Sequence, residues 1–196
     1  LAEFILASGS PRRKELLAAV GMDFDVVVSD ADEDLLSKDT PVEIYVQELA
    51  LLKAAATAKK VLKRKKALII AADTIVTLDG KILGKPQDED DAFNMLKSLS
   101  GRCHDVFTGY CVMRVSDGFT VCNRVKTEVT FKTLDDETIR RYIETKEPMD
   151  KAGAYGIQGM GALLAEKING DYFNVVGLPV SALADTLKDE FNIELL

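Results

Sequence analysis

A mixed α/β fold, a β-sheet flanked by helices, is predicted for this 196-residue chain by three features. Short apolar runs alternate along the chain with amphipathic helical stretches, the pattern of interleaved strands and helices. One run, Ala67-Leu68-Ile69-Ile70-Ala71-Ala72, is apolar without interruption, the mark of a strand covered on both faces. Two long alternating segments, residues 105–115 and 119–132, read as a hairpin and make the sheet mixed rather than parallel.

Composition bounds the rest. With 47% hydrophobic residues, a chain of this length buries roughly 70% of its unfolded surface, enough for a core in one domain over residues 1–196 or two closely packed lobes. Lys+Arg 25 against Asp+Glu 32 gives a net charge of −7, which argues against a nucleic-acid partner and requires that any anionic ligand meet locally gathered cations. No apolar run approaches the roughly 18 residues of a membrane span, and the start Leu1-Ala2-Glu3-Phe4-Ile5-Leu6 lacks the basic flank of a signal peptide. These features predict a cytoplasmic protein with no membrane contact.

The elements follow in order. Residues 3–7 form a strand that enters the turn Ser8-Gly9-Ser10-Pro11. Ser10 as N-cap, Pro11 in the first helical position and Gly21 as stop delimit a helix with Leu16 and Leu17 on its apolar stripe. Residues 24–28 form a second strand, leading into Asp30-Ala31-Asp32-Glu33-Asp34. Thr40-Pro41-Val42-Glu43 reads as a capping box opening a long helix, whose cationic end, Lys59 to Lys66, is expected to be solvated. After the buried strand 67–72, residues 74–78 and 81–83 form a hairpin about Asp79-Gly80. Residues 88–99 are helical, and the long hairpin follows, with Thr120, Arg124, Lys126, Glu128 and Thr130 on a wet or inter-subunit face. A helix over 133–145, a Gly-rich segment over 153–161, a hairpin about Asn169-Gly170 and a helix over 179–191 complete the chain.

Cysteine and histidine exclude much chemistry. Cys103, Cys111 and Cys122 have no Cys-x-x-Cys spacing, so neither a zinc ribbon nor a disulfide framework is predicted and buried free thiols are expected. His104 is the only histidine, which removes histidine-cluster metal sites and leaves a structural or surface role, rather than a catalytic one, as its reading.

Ser8-Gly9-Ser10-Pro11-Arg12-Arg13-Lys14 joins hydroxyls, a glycine, a helix N-terminus and three cations, the parts of an anion site. The same residues also make a capped surface helix. Asp73 ends the apolar run, where open α/β sheets hold catalytic or metal-binding groups. Lys53 and Lys85 add cations, and Glu33 and Asp32 offer the carboxylate oxygens Mg²⁺ prefers. The glycines around Gln158 allow a backbone to approach a ligand closely, and they also build ordinary loops.

Five segments together carry a resemblance. Ala7-Ser8-Gly9-Ser10-Pro11-Arg12-Arg13 with Glu15-Leu16-Leu17, Ala72-Asp73-Thr74, Gly84-Lys85-Pro86, Asp150-Lys151-Ala152-Gly153-Ala154-Tyr155-Gly156-Ile157-Gln158-Gly159, and Asn174-Val175-Val176-Gly177-Leu178-Pro179 resemble the successive motifs of the Maf family of nucleoside triphosphate pyrophosphatases, in family order over nearly the whole chain. The resemblance implies an elongated α/β fold related to the inosine triphosphate pyrophosphatases, with two lobes around a central cleft and often homodimeric. It implies metal-dependent hydrolysis, with Mg²⁺ or Mn²⁺, of a nucleoside triphosphate to the monophosphate and pyrophosphate, removal of non-standard nucleotides, and a link to cell-division arrest.

Carried over by residue, the family's proton-accepting aspartate falls on Asp73 and its specificity positions on Arg12, Thr74 and Gln158, a combination resembling the branch that acts on dTTP and UTP. A Gln amide matches the N3–H donor and O4 acceptor of uracil and thymine. Ser8, Arg13, Glu33, Lys53 and Lys85 match positions of the polar cleft, with Glu33 and Asp73 as metal ligands. Asp34 departs from the pattern, which has a small hydroxyl residue there, and the chain begins at Leu1 rather than Met. A pyrophosphatase for a purine or modified nucleotide, and a non-catalytic nucleotide-binding regulator of septum formation, are the alternatives.

Overall fold

The computed structural model describes residues 3–37 and 39–196, so the Leu1-Ala2 start used in the signal-peptide reading lies outside the described residues. Its elements are β1 (Glu3–Leu6), α1 (Pro11–Ala19), β2 (Phe24–Val26), α2 (Val42–Lys60), β3 (Ala67–Leu78), β4 (Lys81–Leu83), α3 (Glu89–Leu99), β5 (Cys103–Arg114), β6 (Thr120–Phe131), α4 (Asp136–Glu144), β7 (Ala165–Asn169), α5 (Tyr172–Val176) and α6 (Val180–Phe191). The strands form a seven-stranded sheet in the order β2-β1-β3-β5-β6-β7, with β4 paired to β3. β1 runs parallel to both β2 and β3, while β4 is antiparallel to β3 and β7 antiparallel to β6, so the sheet is mixed as predicted.

The chain sorts into two compact units, Leu1–Asp73 with Thr108–Val125 and Gly177–Leu196, and Thr74–Phe107 with Lys126–Val176. In the first unit, Ala67, Ile69 and Ala71 of β3 pack against Ala50 and Ala54 of α2 with Cys111 and Met113 of β5. Small residues let helix and strand approach closely, and the closest approach is at Gly109. A Cβ there would stand 2.3 Å from the Val46 carbonyl oxygen, inside the van der Waals limit, so only glycine allows β5 to lie on the backbone of α2.

In the second unit, His104, Phe131 and Tyr155 form an edge-to-face ring cluster with centroids 4.7 to 5.3 Å apart. Leu96 and Leu99 of α3 are buried, as are Ile139, Tyr142 and Ile143 of α4. The helix N-termini here are capped by acidic side chains: Asp88 accepts from the Asp91 N–H at 2.8 Å, and Asp135 from that of Thr138 at 2.8 Å.

Several expectations are corrected. The strand expected to stop at Ala72 continues through Asp73 to Leu78, because pairing with β4 begins at Val76 soon after β1 leaves at Ile70. No capping box forms at Thr40. Helix α2 starts one residue later, with Pro41 as N-cap and its carbonyl accepting from the Ile44 and Tyr45 N–H groups at 2.9 Å. Ser10 occupies the N-cap position of α1 without a side-chain bond.

Asn169-Gly170 does not turn a hairpin. β7 ends there and α5 begins, because the Asp171 carboxylate accepts from the Phe173 N–H at 2.7 Å while Asp171 itself is held to Thr127. β5 is buried on both faces along residues 106–113, where alternation predicted one wet face, whereas β6 keeps its wet side. Cys111 and Cys122, on neighbouring strands, are joined in a disulfide, and Cys103 is free and exposed, in place of three buried thiols. Their 11-residue separation spans the β5–β6 turn and brings the two side chains together across the strands, a pairing only the sheet register creates. The cationic end of α2 is only partly solvated: Lys60 pairs with Asp30 at 3.1 Å, and Arg64 grips Glu3 and, at 2.6 Å, Asp25. Among the described residues no helix is long and apolar enough to cross a membrane.

Candidate active site

Two periodicities bring Lys53 to Asp73. In β3, residues two apart share a face, so Asp73 continues the row Ala67, Ile69, Ala71 that packs on α2. In α2, residues three and four apart share a face, so Lys53 lies on the stripe of Ala50, Ala54 and the buried Thr57. The Lys53 ammonium bonds the Asp73 carboxylate and also stands 2.9 Å from a Glu33 oxygen. Lys53 and Asp73 are 16% and 17% exposed, so their attraction is poorly screened, while Glu33, 51% exposed on a 3-10 turn, is the mobile-solvent side of the trio.

The carboxyl end of β1 supplies the cations. Leu6 is the last residue of β1 paired with β3, opposite Ile70, and the chain then turns through Ser8 and Gly9 into α1. The Ser8 hydroxyl accepts from the Ser10 N–H and from Arg13 Nη1, both at 3.2 Å, and Arg13 Nε donates to the Gly177 carbonyl at 2.8 Å. Burial, with the like charge of Arg12 adding to it, pushes the Arg13 guanidinium below its ordinary pKa, opposed chiefly by attraction to Asp73 and more weakly by Glu33. Arginine remains charged under these conditions. The first unit therefore brings Ser8, Arg12, Arg13, Glu33, Lys53 and Asp73 near one another, Asp73 from mid-strand rather than from a strand end. Asp32 departs from expectation: its carboxylate accepts from the Asp34 N–H at 3.2 Å and caps its own turn.

The second unit holds Thr74, Lys85 and Gln158. Thr74 is half-buried on β3, and Lys85 is exposed in the loop after β4. The Gly153 N–H donates to the Gly84 carbonyl at 3.0 Å, so the loop bearing Lys85 is tied to the segment leading to Gln158. Gln158 is exposed. The glycines around it answer the open question of their purpose. Cβ atoms on Gly156, Gly159 and Gly161 would meet Lys151 at 2.9 Å, Glu147 at 2.9 Å and the Gly156 carbonyl at 2.0 Å, so the close approaches are to the protein itself.

Sequence reasoning missed two kinds of group. Tyr45, buried about two helical turns before Lys53 on α2, has its phenol pushed up by burial and by the charges of Asp73 and Glu33. Glu147 organises the segment around Gln158, and of the glycines there only Gly159 has that carboxylate as its close neighbour, so nothing in the sequence pattern pointed to it. His104, 3% exposed, has its pKa lowered to about 4 by burial and takes part in a 2.7 Å bond with the Tyr155 hydroxyl, a structural role as expected.

Two carboxylates that share a single ammonium keep a net negative charge, which favours a further cation, and carboxylate oxygens are the donors a hard divalent cation takes. Glu33 and Asp73 fit such an ion by donor chemistry. Among the described residues no group of three or more His, Cys, Asp or Glu side chains could hold a metal, so substrate oxygens or water would complete its coordination.

These parts define an α/β protein whose charged groups gather where a parallel strand pair ends, the place where open sheets of this class take up ligands. The chain belongs to the Maf family: the family described as Maf-like protein matches residues 3–190. A protein of Thermoanaerobacter pseudethanolicus named dTTP/UTP pyrophosphatase is 51% identical over 194 residues, covering 99% of this chain and 100% of the relative. One of Alkaliphilus metalliredigens with the same name is 53% identical over 192 residues, 98% of each chain. Among solved structures, the Ham1 protein of Staphylococcus aureus is similar at 17% identity and a TM-score of 0.46, over 66% of this chain and 71% of that one.

Proposed function

We propose that this protein hydrolyses dTTP and UTP to the nucleoside monophosphate and pyrophosphate. The observation that carries the chemistry is the Lys53 ammonium shared by Asp73 and Glu33 beside the Arg13–Ser8 pair at the start of α1. The names of relatives about half identical over nearly the full chain support the choice of substrate.

Arg12, Arg13, Ser8 and the N-terminus of α1 hold phosphate oxygens, since guanidinium forks and helix N–H groups both match them. Lys53 and Lys85 neutralise further oxygens. Asp73 accepts a proton from the attacking water, and Glu33 helps to orient it. As the water oxygen bonds to phosphorus in line, the anhydride bond breaks and its electron pair leaves with pyrophosphate. Positioning and charge neutralisation supply most of the rate, because phosphoryl transfer leaves a protein little covalent chemistry. A divalent ion, Mg²⁺ or Mn²⁺, held by Glu33 and Asp73 would supply charge on the transferring oxygens. Thr74 and Gln158 select the base, with the Gln158 amide accepting from N3–H and donating to O4 of a pyrimidine.

The test is a panel of nucleoside triphosphates with Mg²⁺ and with Mn²⁺, resolving monophosphate plus pyrophosphate from diphosphate plus phosphate. Release of pyrophosphate with dTTP and UTP preferred is the expected result. Preference for purines would refute the Gln158 assignment, and tight nucleotide binding without pyrophosphate release would refute catalysis.

A further inference from the structure

We infer that Glu147 is the positioning residue for Gln158 and thereby sets base selectivity, an inference that rests on Gln158 being the base reader. Glu147 lies in the 3-10 turn Glu147–Asp150, eleven residues before Gln158 in the chain. Its carboxylate reaches around the segment that carries Gln158 and holds it from both oxygens. Oε1 accepts from the Gly161 N–H at 3.1 Å and from the Tyr142 hydroxyl at 3.1 Å, and Oε2 accepts from the Met160 N–H at 3.1 Å. The Tyr142 oxygen in turn accepts from the Gly156 N–H at 3.1 Å. Gln158 is thus flanked on both sides by backbone groups fixed to one carboxylate, directly at 160 and 161 and through Tyr142 at 156.

The chemistry of the node is particular to a carboxylate. Three donors converge on an acceptor-only group, which neither an amide nor a hydroxyl replaces without turning a donor toward a donor. Burial, with the neighbouring Glu147 charge adding to it, holds the Tyr142 phenol in its protonated form, so it remains a donor. The glycine positions agree. Gly159, with φ of 65°, leaves no room for a Cβ beside Glu147 Oε2, and at Gly161 a Cβ would meet the Tyr142 hydroxyl at 2.7 Å. Glu147 is itself secured from behind, where Lys151 Nζ donates to its carbonyl at 2.6 Å.

A side chain that reads a base by two hydrogen bonds must be held to a fraction of an ångström, because selectivity is lost when the amide cannot reach both atoms together. Exposed Gln158 gains that precision from its backbone, and the backbone gains it from Glu147. Neither Glu147 nor Tyr142 needs to touch the nucleotide for this.

The test compares Glu147→Gln, Tyr142→Phe, Gln158→Ala and the Glu147→Gln/Gln158→Ala double variant with the unsubstituted protein. The readout is the ratio of kcat/KM for dTTP and UTP to that for ATP and GTP. This ratio is unaffected by loss of folded fraction, which lowers all substrates alike. We expect E147Q to lower the ratio at least about tenfold through KM, with kcat for dTTP within about threefold, and the double variant to be no less selective than Q158A. Y142F should move the ratio in the same direction by less, and it decides the matter if E147Q does not fold. If Q158A loses selectivity while E147Q, or in its place Y142F, keeps it, the inference is overturned and the base-reading role stands. If Q158A itself keeps wild-type selectivity, the base-reading role fails and takes the inference with it.

Discussion

The ammonium of Lys53 is bonded to the carboxylate of Asp73 across the α2–β3 packing face, with both side chains less than a fifth exposed. Lys53 keeps a second partner in Glu33 at 2.9 Å, so removing the Asp73 charge does not strand it. Asp73→Asn should therefore lower kcat by about 10³-fold or more while shifting the unfolding free energy by no more than about 1–2 kcal/mol. Steady-state pyrophosphate release and a denaturant melt check both halves of this expectation. Activity near that of the unmodified protein would remove Asp73 from the reaction.

Gly109→Ala tests the close packing that places Lys53. Its Cβ would stand 2.3 Å from the Val46 carbonyl oxygen and 2.8 Å from the Gln47 nitrogen, both backbone atoms of α2 that cannot rotate away. The helix or the strand must move, at a cost of about 3 kcal/mol or more. Soluble yield and thermal melting should both fall sharply, whereas Gly118→Ala, which meets nothing within 4 Å, should lose only what its positive φ of 74° demands, about 1 kcal/mol.

His104 gives the fold a sensitivity to acid. Its pKa is about 4 in the folded protein against 6.5 for the free side chain, because burial disfavours the imidazolium. The unfolded chain thus binds more protons, so stability from this residue is complete above pH 6.5 and declines as pH falls toward 4. A shift of this size corresponds to roughly 3 kcal/mol. Melting temperatures across pH 4 to 7 should show the decline. His104→Phe should flatten that part of the curve, although it is less stable at pH 7 because the Tyr155 hydroxyl loses its partner.

Thiol counting checks the cysteine pairing. Cys103 is exposed and free, while Cys111 and Cys122 are joined, so the unreduced protein unfolded in denaturant should give one reactive thiol per chain and the reduced protein three. Reduction should lower the melting temperature modestly. The closed loop is short and its ends already pair as neighbouring strands, so the stabilisation should fall below the roughly 3 kcal/mol of a loop that size in an otherwise unconstrained chain. Three reactive thiols without reductant would refute the pairing.

Much of the fold was legible in local pattern. The uninterrupted apolar run announced β3, and Pro11 and Gly21 bracketed α1. These signals are local because a helix cap or a strand's burial is written within a few residues. The failures share a cause as well. Asn169-Gly170 reads as a hairpin until Thr127, over 40 residues earlier, takes hold of Asp171, and the cysteine pairing depends on the register of β5 against β6.

The site divides in the same way. The sequence by itself determined where candidate charges stand: the Ser8 to Arg13 turn has the parts of an anion site and Asp73 ends an apolar run, while the reading of Lys85 and Gln158 as cleft residues leaned on the family resemblance. Lys53 was named from the sequence as a cleft cation, but only the tertiary structure decided that it pairs with Asp73 and Glu33. That pairing requires a helical stripe and a strand face to be packed on each other, which no residue spacing within either element records. Only the tertiary structure brought out Glu147, whose sequence context looks like any turn. Its importance lies in three donors converging from residues 142, 160 and 161, and convergence in space is what folding adds to a chain.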